Sequence, residues 1–187
     1  MATRLALFID GSNMFHAQKR MGYFLDYIKL KNHFSKGQDL FDSFYYFGMD
    51  TPSSEAQQKF FDYLVFNDFT VRKKDVKTIY DDESGEPVKK CNLDIEIAID
   101  MFDHVDNYDK AILFSGDGDF ERVVRVLRGK GKIIDVASCR GMIAKELANE
   151  ANHLVYLEDY ERYIKRTDRP FEKKEKKQIR QEKKTRC

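Results

Sequence analysis

The sequence predicts an α/β fold, in which helices cover both faces of a central, mostly parallel sheet and so form three layers. Short apolar runs typical of buried strands alternate with helical patterns along the chain. Two of these runs, residues 5–9 and 110–114, end in glycine-containing turns that carry aspartate. The size also fits, because 187 residues with 42% apolar content can form one domain with a substantial core.

Apolar periodicity and turn residues predict the elements in chain order. Aromatic and β-branched residues favour the strands, and a serine followed by an acidic first turn marks the helix start within residues 51–55. The predicted strands are 4–9, 40–47, 69–80, 110–114, 132–137 and 153–157. The predicted helices are 12–20, 25–36 (or an irregular turn), 51–55 to about 67, 93–105, 119–128 and 141–149.

A dense group of turn-forming residues at 81–87 interrupts this pattern and predicts a hairpin or flap. Basic residues lie on both predicted arms, and their positive charges would suit a polyanion bound nearby. Lysines along a solvated hairpin are equally typical of a strand edge protected from aggregation. These residues are Arg72, Lys73, Lys74, Lys77, Lys89 and Lys90.

The charge distribution predicts a division of the chain near residue 165 into a domain, 1–164, and a basic, flexible tail, 165–187. The tail has a surplus of seven positive charges, whereas the preceding residues carry about minus six. Such asymmetry is consistent with attraction to a phosphate backbone. A solvated tail that only aids solubility explains it as well.

Other sequence features narrow the setting of the protein. The chain has no apolar run of the roughly 20 residues that span a bilayer. Its amino terminus lacks a signal-peptide pattern. The three cysteines, Cys91, Cys139 and Cys187, argue against a zinc ribbon or a disulfide scaffold. We therefore expect a cytoplasmic protein without a membrane partner.

Acidic residues follow two predicted strands: Asp10 after 5–9, and Asp117 and Asp119 after 110–114. Parallel strands end at the same edge of a sheet, where ligands of open α/β sheets bind. Glycines in these turns allow a ligand to approach the carboxylates closely. Alternatively, Asp117 or Asp119 could simply cap the helix 119–128, and Ser12 or Asn13 could cap the helix 12–20.

Asp94 begins the predicted helix 93–105 on the side that should face the protein. Helical spacing places Ala98, Met101 and Val105 on the same side, and it directs Asp100 and Asp103 away. An ionised carboxylate facing inward requires a basic group, backbone donors or a cation. Simple capping of the helix by Asp94 or Asn92 is the alternative.

Together, Asp10, Asp94, Asp117 and Asp119 would form a site of hard oxygen ligands. Such ligands suit Mg2+ or Mn2+, whereas zinc prefers histidine and cysteine. Four acids could hold two ions roughly 3.5–4 Å apart, an arrangement used for displacement at phosphate. Ser12 and Ser115 could donate hydrogen bonds to that phosphate, although single serines on turns are usually structural.

Three sequence blocks, residues 8–13, 90–94 and 115–120, resemble the signature blocks of the NYN domain, a PIN-like nuclease group, and especially its LabA-like (DUF88) branch in bacteria. The resemblance covers roughly residues 4–160 and implies a Rossmann-like (PIN-like) fold. By position it implies that Asp10, Asp94 and Asp117 bind Mg2+ or Mn2+, that Asp119 is the fourth acid and that Asn13 lies beside the first. Cys91 departs from the small residue usual in the second block.

These observations predict a metal-dependent ribonuclease whose catalytic and metal-binding residues are the four aspartates. Ser12, Asn13, Ser115, Lys89 and Lys90 are the predicted RNA-binding residues. The alternative is a non-catalytic module that binds RNA, a nucleotide or a protein through the same cleft. A phosphate-accepting receiver-like domain would require a lysine near Lys130 or Lys132 aimed at the pocket. A homodimer is conceivable if the aromatic segment 40–47 or the flap is exposed.

Overall fold

The computed structural model describes residues 3–49, 53–80, 87–90 and 92–168, with the backbone alone for 77–80 and 87–90. Its strands are β1 (Arg4–Asp10), β2 (Asp39–Met49), β3 (Thr70–Asp75), β4 (Lys77–Tyr80), β5 (Pro87–Lys90), β6 (Lys110–Phe114), β7 (Ile133–Ser138) and β8 (Leu154–Tyr156). Its α-helices are α1 (Gly11–Met21), α2 (Tyr27–Phe34), α3 (Glu55–Phe66), α4 (Asp94–Asp103), α5 (Glu121–Gly129), α6 (Lys145–Glu150) and α7 (Glu161–Ile164).

Six strands form one sheet in the order β3-β2-β1-β6-β7-β8, and every neighbouring pair is parallel. The predicted α/β fold with a parallel central sheet is therefore confirmed. β1 and β6 are the central neighbours, and Ile9 is paired with Phe114 at their carboxyl ends. The residues that follow, Asp10 and Ser115, consequently lie side by side at one edge of the sheet.

The sheet is buried on both faces, as its nearly continuous apolar strands require. On β1, Leu5, Leu7 and Ile9 pack in a core shared with α1, α2 and α7, whereas Ala6 and Phe8 pack in a core shared with α4, α5 and α6. The layers are thus helix, sheet and helix. This packing holds the carboxyl ends of the strands in a rigid frame.

The single strand predicted over 69–80 is wrong, because two separate strands occupy this stretch. β3 joins the main sheet beside β2, and after Val76 the chain leaves to form the antiparallel β4–β5 hairpin. The predicted hairpin exists, but Arg72, Lys73 and Lys74 belong to the main sheet and not to its arms. Sequence periodicity continues across Val76 and so could not reveal where the hydrogen-bonding partner changes.

The aromatic segment 40–47 lies within β2; residues 44–46 pair with both β1 and β3, whereas residues 40–43 lie beside β1 alone. Phe44, Tyr45 and Tyr46 are buried, and Phe41 is the large apolar side chain exposed there. The condition named for a homodimer, exposure of this segment, is thus met at Phe41 and not at residues 43–46, and a homodimer stays a prediction. Across the described ranges, no helix combines the length and the apolar character needed to cross a membrane.

Candidate metal centre

Asp10 ends β1 and caps α1, a role that the sequence had suggested for Ser12 or Asn13. Its Oδ1 accepts a hydrogen bond from the Asn13 backbone N–H at 3.0 Å, and the Ser12 N–H also donates to this carboxylate. The positive end of the α1 dipole further favours a negative charge here. These contacts hold Asp10 at the edge of the sheet, where the residue is 8% exposed.

Ser115 links the two acidic turns of adjacent strands. The fully buried hydroxyl donates to Asp10 Oδ2 at 2.9 Å and accepts from the Asp117 backbone N–H at 3.2 Å. A hydroxyl has one hydrogen, and here it is directed at Asp10. Ser115 therefore holds the two carboxylate-bearing turns at a fixed separation.

The turn that carries Asp117 and Asp119 leads into α5 through a 3-10 helix, Gly118–Phe120. Asp117 caps this short helix, and its Oδ1 accepts from the Asp119 backbone N–H at 3.0 Å. The capping alternative raised for this turn is thus realised by one oxygen of Asp117. Both aspartates are exposed towards solvent, whereas Phe120 anchors the turn in the core.

Asp94 is the first residue of α4, but it does not cap the helix. The residue at the cap position, Leu93, makes no side-chain cap hydrogen bond, and Asn92 Oδ1 accepts from the Asp94 backbone N–H at 2.7 Å. Leu93, Ile97 and Met101 are buried against the sheet. Since α4 packs against β1 and the 3-10 helix at Gly118–Phe120, the half-buried Asp94 faces the two acidic turns.

The structure brings three of the four predicted acids into one group, and Asp10 lies beside that group without being part of it. One carboxylate oxygen from each of Asp94, Asp117 and Asp119 lies within 4.8 Å of the others, and Asp10 is joined to Asp117 through Ser115. Across the described part of the chain, none of these four carboxylates forms an ion pair with a basic side chain. Such crowding of negative charge is stable only with a proton or a cation close by.

The pKa values of the two more buried acids reflect this environment. Burial is the main cause that raises the pKa of Asp10 above its usual range, and donors from Asn13, Ser115 and Ser12 offset part of the shift. Burial also raises the pKa of Asp94, and the charges of Asp10, Asp117 and Asp119 raise it further. A divalent cation bound to the carboxylate oxygens would relieve the repulsion among these charges.

Two glycines in the acidic turns are required by close backbone contacts. A Cβ on Gly11 would stand 2.4 Å from the Tyr46 carbonyl oxygen, and one on Gly116 would stand 2.1 Å from the Met142 carbonyl oxygen. No side chain fits at either distance. These glycines let the turns lie against β2 and the segment before α6, which sets the direction of the neighbouring carboxylates.

The predicted RNA-binding residues have different surroundings. Ser12 is exposed and Asn13 is partly exposed, and both line the same cleft as the acids; Asn13 Oδ1 also accepts from Ser138 Oγ at 3.1 Å. The side chains of Lys89 and Lys90 lie outside the described residues, and so does Cys91. Lys132, considered for a receiver-like domain, donates to the Tyr108 carbonyl oxygen at the other end of β6, away from the acids.

The expectation that Asp100 faces away from the protein is wrong. Asp100 is 8% exposed, and its Oδ2 accepts from the Tyr46 hydroxyl and from Arg72 Nε, both at 2.9 Å. Periodicity within α4 could not reveal this pairing, because both partners come from strands distant in sequence. Lys74 is likewise paired, to Glu96 at 2.7 Å, so these strand residues are not basic groups free to meet a polyanion.

Sequence reasoning named two further residues that shape the centre, Asn92 and Ser115, but it did not find the bridging role of Ser115. Asn92 orients the first turn of α4, and Ser115 is a bridge between carboxylates where a phosphate contact was expected. The position of Asn92 two residues before Asp94 matched a cap pattern and was a usable signal. The role of Ser115 depends on the register of β1 and β6, which no local signal carries.

Three of the four acids, Asp10, Asp94 and Asp117, line a cleft of about 950 Å³ together with Asn13 and Asn92. Residues of α1, α2, β2 and α3 also line the cleft. A cleft of this volume can hold a short segment of a bound polymer next to the carboxylates.

Comparisons with known proteins agree with this architecture. The chain is 44% identical over 171 residues to the low amplitude and bright protein LabA of Synechococcus elongatus, covering 90% of this chain and 91% of that protein. The crystal structure of a Vibrio parahaemolyticus protein of unknown function shares the fold, with a TM-score of 0.72 and 20% identity over 87% of this chain and 96% of the other. The sequence model of the NYN domain matches residues 4–158. This chain therefore belongs to the NYN domain family.

Proposed function

We propose that this protein is a metal-dependent ribonuclease that hydrolyses RNA phosphodiester bonds at Asp10, Asp94, Asp117 and Asp119. Proteins of the NYN family are generally nucleases that act on RNA. The observation that carries the proposal is the meeting of three carboxylates within 4.8 Å beside a fourth, in a cleft, without a basic partner among the described residues.

The donor set fits Mg2+ or Mn2+, because every ligand offered is a carboxylate oxygen. Asp94, Asp117 and Asp119 would hold the ion, and Asp10, joined to the Asp117 turn through Ser115, would be the fourth acid of the set. When bound, the ion supplies Lewis acidity and lowers the pKa of water at a phosphate. The predicted flap lysines, Lys89 and Lys90, are proposed to contact the RNA backbone near this site.

The other residues of the site have supporting roles in this proposal. Ser115 is assigned as a positioning residue, because its hydroxyl is already shared between Asp10 and the Asp117 turn. Ser12 and Asn13 present polar groups along the cleft wall and are proposed to contact the RNA backbone. The negative acids would repel the phosphates of RNA unless a cation lies between them.

The test is cleavage of a labelled, unpaired RNA in Mn2+ by the purified chain and by Asp117→Asn. We expect Asp117→Asn to lose at least about a hundred-fold in rate, since an amide cannot replace a charged ligand. Asp103→Asn, an exposed substitution on α4, is the matched control and should cleave at the parent rate. Equal cleavage by Asp117→Asn and the parent would refute the assigned site.

A non-catalytic RNA-, nucleotide- or protein-binding module is the second candidate. It is consistent with the name of the relative, low amplitude and bright protein LabA, which states no reaction. Binding of RNA by the parent chain without cleavage in Mg2+, Mn2+ or Ca2+ would support this alternative. Cleavage that depends on the acids would exclude it as a full description.

A further inference from the structure

The part of the cleft beyond the acids has a different chemical character. Aromatic rings from four elements line it, with Phe15 on α1, Tyr27 on α2, Tyr45 on β2 and Phe60 on α3. Tyr27, Tyr45 and Phe60 contact one another edge-on or tilted, with ring centroids 4.9–5.9 Å apart. These packed rings form the floor of the cleft and belong to the core on this side of the sheet.

This aromatic groove, defined by Phe15, Tyr27, Tyr45 and Phe60, begins directly beside the acids. The Tyr45 hydroxyl lies 3.0 Å from the point where a Cβ of Gly11 would stand, and Gly11 immediately follows Asp10. The charge of Asp10 also reaches Tyr27 and Tyr45, since it helps raise the pKa of both hydroxyls. Tyr27 and Tyr45 are only 4% and 3% exposed, so beside the acids they form the floor of the cleft, and the largely exposed ring of the groove is that of Phe15, at 52%.

Phe15 is the member of the groove that core packing does not explain. Its side chain is 52% exposed, and it stands on the flank of α1 towards the groove. Lys19 Nζ lies 4.6 Å from the centre of its ring, which places a positive charge at the same rim. An exposed ring beside a cation suits a ligand that carries both a flat π-surface and a negative charge.

We infer that the aromatic groove is a nucleobase subsite, so that the preferred substrate is unpaired RNA whose base beside the scissile phosphate stacks on Phe15. The inference rests on the proposed function, because it places the reacting phosphate at the acids. Bases within a duplex are paired and stacked on one another, and so cannot enter a groove of this kind. The groove also discriminates little between bases, because stacking uses the π-face that every base has.

The test measures binding of a fluorescent ten-nucleotide unpaired RNA by anisotropy, in the full chain with Asp117→Asn to prevent turnover. A second oligonucleotide has the same backbone with abasic sites. Phe15→Ala in this background should weaken binding of the intact RNA about ten-fold and change binding of the abasic one little. Phe15→Trp should retain the affinity, because it keeps a ring for stacking.

Phe66→Ala is the matched control, because Phe66 is 88% exposed on α3 and does not line the cleft. It should bind both oligonucleotides like the parent. Equal affinity of Phe15→Ala and the parent for intact RNA would overturn the inference, as would equal losses with intact and abasic RNA. Cleavage by the unsubstituted chain in Mn2+ is scored separately: its absence, with base-dependent binding retained, would count against the proposed function alone.

Discussion

Aspartates at the two ends of the central sheet have different kinds of partners. At the amino ends of the strands, Asp109 is paired with Arg4 at 2.8 Å, and Asp135 is paired with Lys110 at 2.7 Å and with His153 at 2.8 Å. The bonds from Arg4 lower the pKa of Asp109 to about 2. These acids are satisfied by the protein itself.

At the carboxyl ends, hydrogen-bond donors replace basic side chains. Asp10 receives Ser115 and two backbone N–H groups, and Asp117 receives the Asp119 N–H. The pKa values of Asp10 and Asp94 are raised, in the opposite direction from Asp109. The amino-end acids are therefore paired with basic side chains, whereas the acids at the carboxyl ends have no such pairs among the described residues, and a bound cation would supply the missing positive charge.

Binding of Mn2+ should give the largest effect on stability. At a concentration one hundred times its dissociation constant, an ion bound only by the folded state adds about 2.7 kcal/mol to the free energy of unfolding. For a chain of this length we expect the melting temperature to rise by about 5–10 °C. Differential scanning fluorimetry measures the shift. An equal rise in Asp117→Asn would show that the ion binds elsewhere.

Removing a carboxylate that is paired within the protein should destabilise the fold more than removing one of the carboxylates of the acidic cluster. Asp100→Ala removes the acceptor of both Tyr46 and Arg72, and we expect a loss of about 2 kcal/mol in the free energy of unfolding. Arg72 is partly exposed and can be solvated, which limits the loss. Urea denaturation measures it, with Asp103→Ala on the same helix as control. A loss no larger than that of the control would contradict the role given to Asp100.

Ser115→Ala tests how the acids at the carboxyl ends of the strands are held together. It removes the donor of Asp10 and the acceptor of the Asp117 N–H, and we expect a loss of about 1 kcal/mol in stability. The pKa of Asp10 should rise further, so Mn2+ should bind more weakly at a given pH. Urea denaturation and metal titration measure the two effects, and the exposed Ser53→Ala is the control. Unchanged metal affinity would refute the bridging role.

Asp94→Asn should have the smallest effect on stability, and it should stabilise the protein, whereas Asp100→Ala and Ser115→Ala destabilise it. Because the folded-state pKa of Asp94 is raised above the ordinary 3.8, its stabilising contribution is complete at low pH and is lost as pH rises through the folded-state value. Without divalent ions at pH 7.5, the amide should therefore raise the melting temperature slightly. The gain should vanish below the ordinary range of aspartate. A lower melting temperature at pH 7.5 would mean that the charge of Asp94 is already compensated.

Much of the fold could be predicted, because most elements carry local signals. The Ser54 cap and the stripe through Leu64 identified α3, and the apolar runs identified β1 and β6. The division of 69–80 into β3 and β4 could not be predicted, since only the partner strand changes at Val76. The division of the chain at residues 164 and 165 stays a prediction.

The sequence by itself determined that Asp10, Asp117 and Asp119 lie at one edge, because each follows a strand and parallel strands end together. Packing of α4 decided that Asp94 joins them and that Asp100 turns inward to Tyr46. Tertiary structure also decided the bridging role of the Ser115 hydroxyl and the assembly of the aromatic groove. Chain direction and periodicity are local properties, whereas strand register and helix packing depend on residues that are distant in sequence, as the 105 positions between Asp10 and Ser115 show.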